Sequence, residues 1–312
     1  MWSRLGRWLV AGLALVLIVG VFGGGVAAAS NPGNNGRLVY AGETEGREGS
    51  GGTYFEIYTM NPDGTDARRL TFDGGLVGWN WDRDEPRIVS HNRHPAWSPR
   101  GDAIAYAHGD ASGATIRFID PDGVLLRSLP TDFSAVWGIS WSPDGSHLVV
   151  SAADWPNPDC YRVGIWVLDV DGSGVRSLVS QELCSDPTSE SAGEPVRIRP
   201  DVAWSPSGDV IAFVMDSDDG RSIYLTDPTG SDMQPIVCGG TNSDGPEWAP
   251  DGRALCCSST GVGGDTVSST AIWVYRVEQG TSFPLRVDVP HPVEPLISPN
   301  NERLLFRTYE VG

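Results

Sequence analysis

An all-β fold assembled from repeated four-stranded units is predicted by three observations. Gly and Pro are frequent, short β-branched and aromatic runs lie between them, and one heptapeptide recurs along the chain. The 312 residues include 39 Gly, 23 Pro and 12 Trp, a composition suited to many short strands joined by tight turns.

The heptapeptide sets the frame. Ala96-Trp97-Ser98-Pro99-Arg100-Gly101-Asp102 returns as Ser140-Trp141-Ser142-Pro143-Asp144-Gly145-Ser146 and as Ala203-Trp204-Ser205-Pro206-Ser207-Gly208-Asp209. Glu247-Trp248-Ala249-Pro250-Asp251-Gly252-Arg253 keeps the Trp and the turn, whereas Pro295-Leu296-Ile297-Ser298-Pro299-Asn300-Asn301 has lost the Trp. Each copy leads at the same offset into an apolar strand, at 104–107, 148–151, 211–214, 254–257 and 304–306. A further run follows at 116–119, 165–168, 223–226 and 272–275, then a second turn of the type Asp120-Pro121-Asp122-Gly123, then a fourth short run. Four strands per unit of about 40–60 residues is the signature of a β-propeller blade. Residues 38–71 repeat the unit without its first strand, and the C-terminal copy has only its first two strands. Six blades, the last incomplete, are expected in a single domain over 30–312, with five blades as the alternative.

Turn chemistry explains the residues between the strands. Pro presets φ at the first corner, Asp or Asn bonds the local backbone, and Gly accepts the positive φ that a side chain resists. The Trp of the innermost strand is read as the large apolar filler that packs one blade on the next. Calcium is not needed to account for Asp169, Asp171, Asp216, Asp218 and Asp219, because turn chemistry does so.

Trp-Ser-Pro-Asp-Gly before an apolar strand, with Ile57-Tyr58-Thr59-Met60-Asn61-Pro62-Asp63-Gly64 and Arg68-Arg69-Leu70-Thr71, resembles the WD-like repeat of TolB-type propellers. The resemblance spans about residues 37–307 and implies the propeller part of that family alone. The N-terminal α/β domain of the family's namesake has no room ahead of the repeats. A Tol-Pal envelope role is therefore not carried over.

The first 29 residues read as a different material: Arg4 and Arg7, an apolar run from Leu9 to Phe22, then Ala27-Ala28-Ala29. This pattern predicts a secretory signal peptide, with an uncleaved membrane anchor as the alternative, and so an extracytoplasmic location: periplasmic, secreted or anchored by the N-terminus. The formal charge of -18, with Arg as every cation, disfavours a nucleic-acid partner, since phosphate binding needs clustered positive charge.

Alternation of strand direction sorts the connections. With strands a to d running outward from the axis, the a-to-b and c-to-d turns share one face and the b-to-c and d-to-a connections share the other. The longer or irregular segments, 43–53, 73–95, 108–114, 154–163, 180–201, 216–221, 242–246 and 259–270, all fall on that second face. Long segments of this kind are often functional. The most unusual carries the candidate binding residues Trp79, Trp81, Arg83, Arg87, His91, Arg93 and His94, a mixture of aromatics and charge suited to a protein or peptide partner or a cell-envelope glycan. Two His without a third ligand at recognisable spacing do not define a metal site, and no cofactor motif occurs.

Export permits disulfides, and the strand map puts Cys160 and Cys184 on the same face of the same blade, so they are expected to pair. Cys238 has Cys256 or Cys257 as its other candidate partners, and at least one of the five Cys is left over. No Gly-x-Ser-x-Gly elbow and no convergent acid, base and nucleophile set is found, so a monomeric, non-enzymatic scaffold is favoured. A propeller hydrolase or lyase, or a carbohydrate-binding protein with its site at the channel mouth, is the alternative.

Overall fold

The computed structural model describes residues 29–30, 36–45, 53–75, 77–80, 85–88, 90–157, 160–184, 198–217, 220–240, 242–260, 270–285, 287, 292–298, 300 and 304–308. Among the described residues all of the regular structure is strand. The first blade is β1 (Ala29–Ser30), β2 (Leu38–Glu45), β3 (Thr53–Met60) and β4 (Arg68–Arg69). A short hairpin of β5 (Val77–Asn80) and β6 (Glu85–Ile88) stands apart before the second blade. That blade is β7 (His91–Trp97), β8 (Ile104–Asp110), β9 (Gly113–Ile119) and β10 (Leu125–Pro130). The third is β11 (Ala135–Trp141), β12 (His147–Asn157), β13 (Cys160–Asp169) and β14 (Val175–Cys184). The fourth is β15 (Ile198–Trp204), β16 (Ile211–Ser217), β17 (Gly220–Thr226) and β18 (Gln234–Ile236). The fifth is β19 (Ser243–Trp248), β20 (Ala254–Thr260), β21 (Thr270–Arg276) and β22 (Thr281–Leu285). Last comes a two-stranded sheet, β23 (Pro292–Ile297) and β24 (Leu304–Thr308).

The architecture is an all-β propeller with five four-stranded blades, and every neighbouring pair of strands within them is antiparallel. One sequence expectation is amended here. The first blade is not short of its innermost strand, because Ala29 and Ser30 pair with Val39 and Leu38. So short a strand, with its alternation hidden in an Ala-rich stretch, leaves no periodic signal.

The core lies between the blades. Side chains alternate across each second strand, so Ile211 and Phe213 pack toward the third blade while Ala212 and Val214 pack toward the fifth. Separate apolar clusters join the first blade to the second, the second to the third, the third to the fourth and the fourth to the fifth. Ile297, Leu304 and Phe306 of the two-stranded sheet pack on the fifth blade, and Leu296 and Leu305 pack on Leu38, Tyr40 and Met60 of the first.

The recurring Trp does what its size suggests. Trp97, Trp141, Trp204 and Trp248 each pack against the preceding blade. The indole N–H of Trp141 donates to Ala96 O at 3.1 Å, that of Trp248 to Ala203 O at 3.2 Å, and that of Trp97 to Arg37 O at 3.1 Å. Trp204 instead donates to Gly208 O in its own turn. The following Ser caps the turn, since the backbone N–H of Ala103, His147 and Val210 donate to Ser98, Ser142 and Ser205 Oγ.

Candidate interaction face

Antiparallel order fixes the two faces of the disc. On the first, the turns after the innermost strands and the turns before the outermost ones are short and bonded to themselves. Asp144 shows why these aspartates belong to the turns: hydrogen bonds from Ser142 and from the Ser146 hydroxyl and N–H hold its carboxyl down to about 2. Asp171 and Asp227 accept from Ser173 and Thr229 in the same way. This face is also a packing surface. Gly123, at φ +89, lies where a Cβ would come within 2.6 Å of Leu70 O in the first blade, a clash with backbone that cannot yield.

The opposite face is marked by the ends of the strands that bound residues 46–52, 185–197 and 261–269, which themselves lie outside the described residues, and by the described part of the 70–90 connection. Three of the segments expected there are shorter than expected. β8 and β9 meet across Asp110↔Gly113, β12 and β13 across Asn157↔Cys160, and β16 and β17 across Ser217↔Gly220. The strands simply continue, because ladder hydrogen bonds satisfy backbone groups that an irregular loop would leave to water. In the third blade this carries the sheet outward until Cys160 stands directly across the ladder from Cys184.

The segment 72–94 is likewise more regular than a loop. Trp79 pairs with Pro86 and Gly78 with Arg87 in the β5–β6 hairpin, and the side chains of Trp79 and Arg87 lie outside the described residues. Trp81 and Arg83 lie outside them altogether. His91, Arg93 and His94 belong to β7, an innermost strand. The Arg93 guanidinium covers the Phe55 ring at 4.0 Å from its centroid, and the His91 ring stands 6.2 Å from the same ring. Burial and the Arg93 charge push the pKa of His91 down. Its Nδ1 has no hydrogen-bond partner among the described residues. His94 adopts φ +54 at a bulge in the ladder between Arg93 and Ala96. Burial, reinforced by Arg93, pushes its pKa down to about 3, so it is neutral at physiological pH. The structure therefore groups His91 and Arg93 around Phe55.

Beneath this face is a polar network that the repeat pattern did not reveal. Glu56 is fully buried in β3 and accepts from Arg69 at 2.8 Å, Gly74 N at 3.0 Å and Asn92 Nδ2 at 2.7 Å, and from the Thr71 hydroxyl. Asn92 also donates to Asp73 Oδ1 at 2.9 Å, and its own oxygen lies 2.7 Å from His108 Nδ1. Arg117 pairs with Asp73. Burial, then the Arg117 charge, lowers the His108 pKa. These contacts tie the start of the 70–90 connection to two blades at once, so the segment leaves the disc from a fixed root. The one sequence signal was a carboxylate in an otherwise apolar strand, Phe55-Glu56-Ile57.

Cys238 and Cys257 form a disulfide, which joins the fourth blade to the second strand of the fifth. Cys256 is the free, buried thiol among the described cysteines. Among the described residues, no group of three or more His, Cys, Asp or Glu is placed to hold a metal ion.

Inter-blade packing, capped turns on one face and a connection rooted at Glu56 on the other define a β-propeller of the TolB type in fold. By sequence, the chain is 32% identical to the Tol-Pal system protein TolB of Gluconobacter oxydans over 95 residues, which are 30% of this chain and 21% of that protein. The solved structure of TolB from Acinetobacter baumannii superposes with a TM-score of 0.61 at 17% identity, covering 89% of this chain and 60% of that one. A TolB candidate from Agrobacterium tumefaciens superposes with a TM-score of 0.60 at 14% identity, over 92% of this chain and 90% of that one. The chain thus spans about a fifth of the length of the curated TolB it matches. No protein-family model matches it.

Proposed function

We propose that this chain is an extracytoplasmic, non-enzymatic scaffold that binds a protein or peptide through the face carrying the 46–52, 70–90, 185–197 and 261–269 connections. The observation that carries the reading is a contrast between the faces: the turns of the other face are consumed in bonding and packing, whereas the strand ends that bound the longer segments open on this one. The buried root at Glu56 favours a preformed surface, which lowers the entropy lost on binding. The likeness in fold to TolB supports an interaction role at the level of the architecture.

In this reading residues 1–29 serve as the export signal and the domain is 30–312, so that cleavage after Ala29 leaves Ser30, opposite Leu38, as what remains of β1. Two finer features belong to the same proposal. The β23–β24 sheet is a sixth, incomplete blade, supported by its packing on the fifth blade through one side and on the first through the other. Cys160 and Cys184, opposite each other in the ladder, form a disulfide that pins the tip of the third blade, with Cα positions that suit one. Trp79, Trp81, Arg83, Arg87, His91, Arg93 and His94 supply contacts from the 72–94 segment.

The test is affinity capture from envelope extract, with bound proteins identified and quantified for three baits. A combined Trp79→Ala, Trp81→Ala and Arg93→Ala chain is expected to lose its partner at least about tenfold, as contact hot spots do. A chain with Arg100→Ala and Arg253→Ala on the turn face is expected to retain it. The reverse pattern overturns the assignment of the binding face.

A further inference from the structure

With 40 acidic residues against 22 basic ones, an arginine in this chain readily finds a carboxylate. Arg69, Arg117, Arg162 and Arg221 hold Glu56, Asp73, Asp154 and Asp244, and Arg37 and Arg68 share Asp66. Arg93 is the exception at the loop-face ends of the strands. Among the described residues its guanidinium has neither an ion pair nor a hydrogen bond.

The unmatched charge is held in place. Arg93 lies near the loop-face end of β7, and its guanidinium carbon stands 4.0 Å from the ring centroid of Phe55, a buried residue of the first blade. Such a ring occupies one face of the planar guanidinium and leaves the N–H edge free to donate. The ladder bulges directly after Arg93, where His94 takes φ +54, and bulges re-aim the side chains beside them. Arg93 stays exposed enough for a ligand to reach, yet its surroundings desolvate it and push its pKa down, while the guanidinium keeps its charge. A partly desolvated cation without a counter-ion is costly, and an anion that supplies one offsets that cost. His91, near the same ring, has a pKa below its ordinary 6.5 and adds no charge at neutral pH.

The chemistry of the anion follows from the donor and its surroundings. A guanidinium edge offers two parallel N–H groups, the spacing that the two oxygens of a carboxylate accept. The formal charge of -18 repels polyanions, so the carboxylate comes on a segment that is otherwise neutral or basic. Glu43, exposed on β2, acts on Arg93 through its charge without forming an ion pair with it, and stands ready for a cation of that segment.

We propose that Arg93, stacked on Phe55, is a carboxylate-binding position that takes one carboxylate of a partner peptide, from an acidic side chain or from the chain terminus. The proposal rests on the reading of this face as an interaction surface and names the chemistry it recognises there.

The probes are acetate, its uncharged isostere acetamide, and two tripeptides: Ala-Glu-Ala capped at both ends, and Ala-Ala-Ala with a free C-terminus. Each is titrated into the full chain near neutral pH and followed by NMR at the backbone amides of 91–94 and the side-chain N–H of Arg93. Acetate and at least one tripeptide are expected to shift these signals saturably, with no response to acetamide, and the tighter tripeptide identifies the source of the carboxylate. Arg93→Lys keeps the charge without the fork and Arg93→Ala keeps neither. Acetate, read at the 91–94 amides, is expected to bind each at least about tenfold more weakly. Four results overturn the proposal: no saturable shift with acetate, an equal response to acetamide, undiminished binding by Arg93→Ala, or an equal response at the exposed Arg100 and Arg253, which marks an adventitious ion only. The two readings fail separately. Absence of any captured partner while acetate still seats at Arg93 sinks the interaction face alone, and a partner captured through Trp79 and Trp81 with no acetate response at Arg93 sinks the carboxylate position alone.

Discussion

Trp248 shows how a single side chain holds neighbouring blades together. Its ring is buried between the fourth and fifth blades and its N–H reaches Ala203 O at 3.2 Å, so shape and polarity are both satisfied across the seam. Trp248→Ala is expected to cost about 3–5 kcal/mol, and Trp248→Phe, which keeps most of the ring but loses the bond, about 1 kcal/mol more than volume alone predicts. Urea titration of the two variants checks the order. The Trp positions were legible in the sequence because they recur, and their structural role follows from their place in the innermost strand. Glu56 was not legible in the same way. A lone carboxylate in a strand reads as solvent-facing until the fold brings Arg69, Asn92 and Gly74 around it.

At the scale of elements, the short strands and tight turns followed from local chemistry, while the ends of several strands did not. The Asp-Gly turns are specified by residues within about four positions, which sequence displays directly. How far β12, β13 and β14 run beyond the blade depends on whether two distant segments can keep pairing, a tertiary matter. The same holds for the cysteines. Sequence left Cys238 with two adjacent candidates, and strand alternation decides between them: Cys257 faces the fourth blade, where Cys238 lies, and Cys256 faces the other way. Removing this bridge by Cys238→Ser and Cys257→Ser is expected to lower stability by about 2–4 kcal/mol, as for a loop closed over a separation of 19 residues. Thermal unfolding with and without reductant, compared with the double variant, measures it.

For the whole molecule, ring closure is where stability and pH meet. Glu247 lies in the innermost strand of the fifth blade, opposite Cys256, and accepts a bond from Ile297 N in β23. Burial pushes its pKa up to about 8, and the thiol of Cys256 is pushed up to about 12 by burial and by this carboxyl. Because the folded pKa of Glu247 exceeds its ordinary value of 4.5, the folded chain holds a proton that the unfolded one releases, and stability falls as pH rises from about 4.5 to 8. Glu247→Gln is expected to flatten that part of the profile. His94 acts in the opposite sense: its pKa is lowered to about 3 from 6.5, so stability falls as pH drops through that window. Denaturant midpoints of the parent and Glu247→Gln chains from pH 4 to 9 test the sign, and an unchanged slope above pH 5 would refute it.

The repeat by itself determined that this protein is a propeller, where its turns lie and which tryptophans pack, because each of those features is written in residues a few positions apart and copied several times. Only the tertiary structure decided that β23–β24 packs between the fifth and first blades, that Cys257 rather than Cys256 bridges to Cys238, and that Glu56 roots the longest connection. Those outcomes depend on contacts between residues far apart in the chain, and each of them occurs once, so no recurrence announces it.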